Sequence, residues 1–150
     1  MYKHLLVSTD GSELSTHAVR NAVKFAKSLG ARITFLYVQP DYPSPVVGEG
    51  ALIMAPEDRD GFLREARDQA DRILTEANRM AQAESVIANT ITQVSDVPYQ
   101  MIIATAQDEA CDLIFMASHG RRGLAGLLIG SETHKVLTHC KIPVLVYRES

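Results

Sequence analysis

Short runs of β-type apolar residues alternate along this chain with longer segments of helical periodicity, and this alternation restricts the fold most strongly. Between the runs, apolar residues recur three or four positions apart, as on one face of a helix. Strand–helix alternation is typical of a parallel sheet with helices on both faces and right-handed crossovers. The sequence predicts an α/β protein, one domain over residues 1–150, whose five parallel strands are His4–Thr9, Arg32–Gln39, Ser85–Thr92, Asp112–Ala117 and Ile142–Arg148.

The segments between these strands predict four helices. The first ends at Gly30, the second spans about Glu57–Ala81, the third enters near Pro98, and the last opens at Ser131. The stretch Pro40–Pro56 holds four prolines and two glycines. It is predicted to be a loop, longer than such connections usually are, and loops of that kind often form lids or contact surfaces.

Composition excludes several classes of function. The chain has 15 Lys and Arg against 18 Asp and Glu, so it lacks the basic surface of a nucleic-acid or acidic-membrane binder. No apolar run approaches the ~18 residues of a membrane span, and the N-terminus does not resemble a signal peptide. Cys111 and Cys140 lie in hydrophobic segments without CxxC spacing and are interpreted as thiols in a reducing compartment. We expect a cytoplasmic protein with neither nucleic-acid nor membrane partners.

A glycine-rich loop follows the fourth predicted strand, in the stretch LIFMASHGRRGLAGLLIGSET, where four glycines fall within eleven residues. Glycine lets backbone amides approach a ligand closely. The start of a helix adds unpaired N–H groups and a partial positive charge. Loop and helix together therefore favour a phosphate-binding site at the carboxyl ends of the strands, although glycines that merely permit a tight loop remain an alternative.

The familiar phosphate-binding motifs are absent. No lysine follows Gly130, as a Walker A loop requires, and Gly11 stands alone where a dinucleotide fingerprint would need three glycines. The pattern that does match is G-x2-G-x9-G-[ST], with Ala117 in place of the first glycine, then Gly120, Gly130 and Ser131. With HLLVSTDGSE at the start and IPVLVYR at the end, the chain resembles the nucleotide-binding universal stress proteins over essentially its whole length.

The resemblance implies a Rossmann-like sheet of the adenine nucleotide alpha hydrolase type, with strand order 3-2-1-4-5. It implies ATP, or ADP or AMP, as ligand, with Mg²⁺ held mainly by phosphate oxygens and water. Asp10 would face the adenosine half, would cap the first helix, or would do both. The main chain of Val38 would pair with the adenine edge. The implied nucleotide-binding residues are Thr9, Asp10, Val38, Met116, Ala117, His119, Gly120, Arg121, Gly130, Ser131, Glu132 and Thr133.

Several roles within this set stay open. Ser131 is expected to cap the last helix, and the hydroxyls of Ser131 and Thr133 to donate to phosphate. His119 would reach the phosphates or order the loop, and Arg121 with Arg122 would contact phosphate or remain solvated. His134 and His139 are five residues apart, which separates them by some 140° around a helix of ~3.6 residues per turn and disfavours a metal site.

No sequence pattern identifies a catalytic set, so the chain is interpreted as a nucleotide-dependent switch or sensor, with slow ATP hydrolysis or self-phosphorylation left open. The resemblance also implies a homodimer, which would cover the apolar edge of the last strand with Val144, Leu145 and Val146 near its axis. Two alternatives compete. One is a dimeric interaction module of the same fold that does not bind nucleotide, favoured by Ala117. The other, a flavodoxin-like or receiver-type domain, is disfavoured because Asp10 lacks acidic neighbours and Lys141 precedes the last strand.

Overall fold

A computed structural model describes residues 1–43, 46–48, 51–53, 58–120 and 129–150. The described strands are β1 (His4–Ser8), β2 (Arg32–Gln39), β3 (Val46–Gly48), β4 (Ala51–Ile53), β5 (Ala88–Val94), β6 (Leu113–Ala117) and β7 (Val144–Tyr147). Five of them form one parallel sheet in the order β5-β2-β1-β6-β7. Counted along the chain without β3 and β4, this is the predicted order 3-2-1-4-5. The predicted fold class is confirmed.

The described helices are α1 (Glu13–Leu29), α2 (Arg59–Ala83), α3 (Pro98–Asp108) and α4 (Ser131–His139). Alternate strand residues point to opposite faces of a sheet. Val7 and Phe35 accordingly lie in the core beneath α1 and α2, whereas Leu6 and Leu36 lie in the core with α3 and α4. All four side chains are fully buried. No helix in these described ranges is both long and apolar enough to cross a bilayer.

The prediction of an uninterrupted loop over Pro40–Pro56 is wrong for six of its residues. β3 and β4 pair there as a small antiparallel ribbon, with Val46 opposite Ile53 and Gly48 opposite Ala51. Only two residues connect the strands, the shortest common hairpin connection. Each strand has only three residues, and each includes a residue of low β-propensity, Gly48 or Ala51, so neither stood out in the sequence. The predicted helix start near Glu57 lies outside the described residues.

The third predicted strand begins three residues later than expected, at Ala88 rather than Ser85. Ser85 has a left-handed backbone with φ of 58°, and Val86 still donates to the carbonyl of Ala81 at 2.9 Å. The chain is therefore still leaving α2 at these residues. The alternating apolar and polar pattern in the sequence starts at Ser85, three residues before the backbone becomes extended at Ala88.

Candidate functional site

The carboxyl ends of β1 and β6 lie side by side in the middle of the sheet, where Val7 is in register with Phe115. From β1 the chain continues to β2 on one side, and from β6 it continues to β7 on the other. This point is the topological switch, where open parallel sheets bind their ligands. The residues that follow β1 and β6, together with the start of α4, form the edge that we call the rim.

Asp10 and Gly120 meet at the rim. A Cβ atom at position 120 would overlap Oδ2 of Asp10, so a larger residue there requires this carboxylate to move. Oδ1 of Asp10 accepts a hydrogen bond from the Ser12 amide at 2.9 Å, which orients the side chain. The alternative that Asp10 caps α1 is wrong, because Ser12 is the N-cap residue and its side chain accepts from the Ser15 amide.

Thr9 stabilises the turn that carries Asp10 and Gly11. Its side chain is buried, and its Oγ1 accepts hydrogen bonds from the Ser15 hydroxyl at 2.8 Å and from the Gly11 amide at 3.3 Å. Gly11 has φ of 77°, a left-handed conformation that glycine adopts without strain. Thr9 therefore shapes the loop that carries Asp10. The N-cap role of Ser12 could not be singled out in the sequence, because every polar residue of STDGS is a plausible helix cap, and no motif marks Ser15 two residues into the helix.

β2 continues beyond the end of β1, and Val38 lies in this additional part of β2. The Leu36 carbonyl accepts from the Thr9 amide at 2.9 Å, so Leu36 directs its main chain towards β1. Residues two apart in a strand direct their backbone groups to the same side. The N–H and C=O of Val38 therefore point over the end of β1 towards the rim, where no further residue of that strand pairs with them. Val38 therefore offers a main-chain donor and a main-chain acceptor at the rim.

The start of α4 is attached to the end of β6. The Gly130 amide donates to the Ser118 carbonyl at 2.7 Å, and the Thr133 hydroxyl donates to the Ala117 carbonyl at 3.0 Å. A Cβ on Gly130 would lie 3.0 Å from Cβ and 3.1 Å from Cα of His119. Thr133 is buried, so its hydroxyl anchors the helix, and the expectation that it donates to a ligand is wrong.

The first turn of α4 leaves backbone donors unused by the helix. Its N-cap residue is Gly130, and its first internal hydrogen bond runs from the His134 amide to the Gly130 carbonyl at 3.0 Å. The amides of Ser131, Glu132 and Thr133 precede that bond and are the helix's free N-terminal donors. Ser131 is the first helical residue rather than the predicted cap. Its amide and exposed side chain lie at the same edge of the sheet as Asp10.

The side chain of Glu132 has a different role from its amide. Its Oε2 accepts from the Tyr99 amide in the first turn of α3 at 2.9 Å, and its Oε1 pairs with Lys135 at 3.2 Å. The N-cap residue of α3, Val97, makes no capping hydrogen bond with its own side chain. Glu132 therefore caps α3 from the neighbouring helix, a contact between elements 33 residues apart that no local motif indicates.

Ala117 replaces the first glycine of the motif at no conformational cost. It is the last residue of β6, in register with Tyr147 of β7, and its backbone is extended rather than left-handed. A methyl group is tolerated in such a conformation. Met116 and Ala117 are both buried beneath the rim, so they form its floor.

His119 packs against Gly130 and places Nδ1 3.2 Å from the Ser118 hydroxyl, which favours its loop-ordering role. Arg121 and Arg122 lie outside the described residues. No group of three His, Cys, Asp or Glu residues suited to a metal ion occurs in the described ranges. What the rim offers is main-chain donors, one oriented carboxylate and an exposed strand end, which together suit a ligand with both an anionic group and a hydrogen-bonding base.

The fold and the rim thus define a class, the α/β proteins that bind ligands at the switch point of a parallel sheet. Residues 1–148 match the model of the universal stress protein family. Universal stress protein MJ0531 of Methanocaldococcus jannaschii is 32% identical over 99% of this chain and 84% of its own length. Universal stress protein YxiE of Bacillus subtilis is 30% identical over 99% of this chain and all of its own length. The chain belongs to the universal stress protein family.

Solved structures agree on the fold. The structure of MJ0577 superimposes with a TM-score of 0.81 at 23% identity and covers 100% of this chain and 98% of that one. A universal stress protein in complex with cAMP gives a TM-score of 0.72 at 24% identity over 99% of both chains. The universal stress protein from Archaeoglobus fulgidus in complex with dAMP gives 0.67 at 18% identity over 98% of both chains.

Proposed function

We propose that this protein binds an adenine nucleotide at the rim and acts in the cytoplasm as a nucleotide-dependent switch or sensor. The observation that carries the proposal is the hydrogen bond from the Gly130 amide to the Ser118 carbonyl at 2.7 Å. It brings the free first-turn amides of α4 to the edge of the sheet that also holds Asp10. The complexes of two relatives with cAMP and dAMP support this class of ligand.

In this proposal the two halves of the nucleotide occupy different parts of the rim. The phosphates lie against the amides of Gly120 and of the first turn of α4, where the helix dipole favours negative charge. The Asp10 carboxylate accepts from a ribose hydroxyl or the adenine amine, and the main chain of Val38 pairs with the base. In this scheme His119 orders the loop beside the phosphates, and a phosphate contact of Arg121 is part of the proposal. ATP, ADP and AMP all fit this scheme, and the phosphate oxygens with water would hold Mg²⁺.

Removing a single backbone donor by substitution tests this scheme. Ser131→Pro removes one amide hydrogen at the first helical position, where proline is well tolerated. The preceding residue, Gly130, has φ of −72° and ψ of 162°, which a following proline accepts. The matched control Ser131→Ala keeps the amide and removes only the hydroxyl.

The measurement is isothermal titration of ATP, ADP and AMP, with and without Mg²⁺, into protein stripped of bound nucleotide. We expect wild type to bind and Ser131→Pro to lose about tenfold or more in affinity, since a hydrogen bond to a charged group contributes about 1.5–3 kcal/mol. Ser131→Ala should lose much less. Absence of binding by wild type, or equal affinities for Ser131→Pro and Ser131→Ala, would remove the rim from the proposal.

The proposed switch further includes a homodimer through the open edge of β7. Pro143 and Tyr147 direct their carbonyls to β6, where they accept from Ile114 and Ser118 at 2.9 and 2.8 Å. Residues that alternate with these direct their backbone groups away from β6. The main chains of Val144 and Val146 therefore face outwards, and a second copy pairing there would cover the edge.

A further inference from the structure

A second cleft lies between α1 and α2, on the face of the sheet opposite α3 and α4. It has a volume of about 210 Å³, and no described residue of β6 or α4 lines it. Thr9 and Gly11 border it at one end, so it adjoins the rim at the end of β1 without including the phosphate-facing residues. The cleft therefore shares Thr9 with the implied nucleotide-binding set but contains none of the residues proposed to face the phosphates.

The floor of this cleft is apolar. Val19 and Ala77 are buried there, and the half-buried side chains of Ile73 and Met80 flank them. Methionine adapts its shape to irregular contacts, which suits a site that closes around a flexible group. An aliphatic chain or small ring in the cleft would remove this surface from water.

The lip of the cleft carries one guanidinium, that of Arg72, which has no partner among the described residues. Arg72 lines the cleft and makes no hydrogen bond or ion pair with any residue that the structure describes, including Asp68 one turn earlier on α2. The other charged lining residue, Glu76, is already engaged, because Arg79 donates to both of its oxygens at 2.6 and 2.8 Å. An anion at Arg72 therefore meets an available guanidinium, whereas the nearby carboxylate is neutralised by its own partner.

We propose that the cleft between α1 and α2 binds a small anionic amphiphile, with its carboxylate at Arg72 and its apolar tail on the floor formed by Val19, Ile73, Ala77 and Met80. Guanidinium and carboxylate match in geometry as well as in charge. The volume is below the roughly 300 Å³ at which pockets for drug-sized ligands begin, so the tail is short. This proposal does not depend on nucleotide binding at the rim.

Octanoate and its uncharged analogue 1-octanol are the probes. Methyl-labelled protein is titrated with each in NMR experiments, and the signals of Val19, Ile73 and Met80 are followed. We expect saturable shifts of these methyl groups with octanoate, persisting when excess ATP is present. The absence of saturation at millimolar octanoate, shifts confined to other methyl groups, or displacement of octanoate by ATP would overturn the proposal.

Arg72→Gln tests the charge, and Arg67→Gln, exposed on the same helix and away from the cleft, is the matched control. We expect Arg72→Gln to weaken octanoate about fivefold, as loss of an exposed charge-assisted contact should, while 1-octanol binding is unchanged. Arg67→Gln should leave both unchanged. If the two variants weaken octanoate equally, or if Arg72→Gln weakens 1-octanol as much as octanoate, the assignment to Arg72 is wrong.

Discussion

The Asp10 carboxylate occupies the space that a Cβ on residue 120 would need, so this side chain keeps its observed position only when residue 120 is glycine. Two segments more than a hundred residues apart therefore constrain each other at the rim. The obstructing atom is the tip of a short side chain that is held by the Ser12 amide. A larger residue at position 120 would displace this carboxylate rather than the backbone.

Gly120→Ala should move the Asp10 side chain and break its hydrogen bond to Ser12. The expected loss in free energy of unfolding is about 0.5–1.5 kcal/mol, the net contribution of one such bond. Nucleotide affinity should fall about tenfold if the proposed contact with adenosine is made. A double-mutant cycle with Asp10→Ala checks the mechanism by urea unfolding. Additive effects of the two substitutions would contradict it.

Glu132 is expected to stabilise the protein rather than hold ligand with its side chain. Glu132→Ala removes the acceptor for the Tyr99 amide and should lower the free energy of unfolding by about 1 kcal/mol, the usual effect of losing a helix cap. Glu132→Gln keeps an acceptor and should recover part of this loss. The control Glu65→Ala changes an exposed acid on α2. Chemical denaturation measures the free energy of unfolding of the three variants. A Glu132→Ala variant as stable as wild type would refute the capping role.

A proline at position 146 should dissociate the proposed dimer without damaging the sheet. The Val146 amide points away from β6, so Val146→Pro removes a donor only from the open edge, where proline is tolerated. Leu145→Pro should instead strongly lower the melting temperature, because that residue bonds to β6. Light scattering should show a dimer for wild type and a monomer for Val146→Pro. A monomeric wild type at micromolar concentration would exclude the dimer.

His4 should make the protein less stable in mild acid. Burial, followed by the nearby Arg32, lowers the pKa of His4 below 6.5 in the folded state. Nε2 of His4 lies 2.8 Å from the Thr34 hydroxyl, which donates its own proton to Asn89 at 2.8 Å. Thr34 therefore accepts from a neutral imidazole, whose Nδ1 is buried without a partner among the described residues.

Because the unfolded chain binds this proton more readily, stability should rise with pH between the lowered pKa and 6.5, and it should be complete above 6.5. Denaturation midpoints measured from pH 5 to 8 should therefore fall on the acid side in wild type and less so in His4→Gln. Parallel curves for the two proteins would show that His4 does not titrate in this window.

The two cysteines should react at very different rates. Burial, with a smaller contribution from Glu109, raises the pKa of Cys111 to about 12, so almost no thiolate forms at pH 8. Cys140 is only half-buried at the end of α4. Iodoacetamide labelling of folded protein, followed by peptide mass spectrometry, should modify Cys140 first. Modification of Cys111 at an equal rate in folded protein would contradict the burial of that thiol.

The positions of the strands and helices were largely predictable from the sequence. The spacing of apolar residues shows which face of each element is buried, and that spacing differs between strands and helices. The family resemblance supplied the strand order. Side-chain partners were harder to predict, since Glu132 and Thr133 follow the same motif yet turn to Tyr99 and Ala117. Those contacts depend on how α3 and α4 pack, which no spacing in the sequence encodes. The pairing of β3 with β4 was missed because Val-Val-Gly and Ala-Leu-Ile are short and weakly β-type and lie in a segment rich in proline and glycine.

The bond between the Gly130 amide and the Ser118 carbonyl has a consequence for engineering. It clamps together the two ends of the intervening stretch, so lengthening that stretch should leave the start of α4 in place. Loop closure becomes only slowly less favourable with added residues. Peptides inserted between residues 120 and 129 should then leave the parallel sheet and the start of α4 in place.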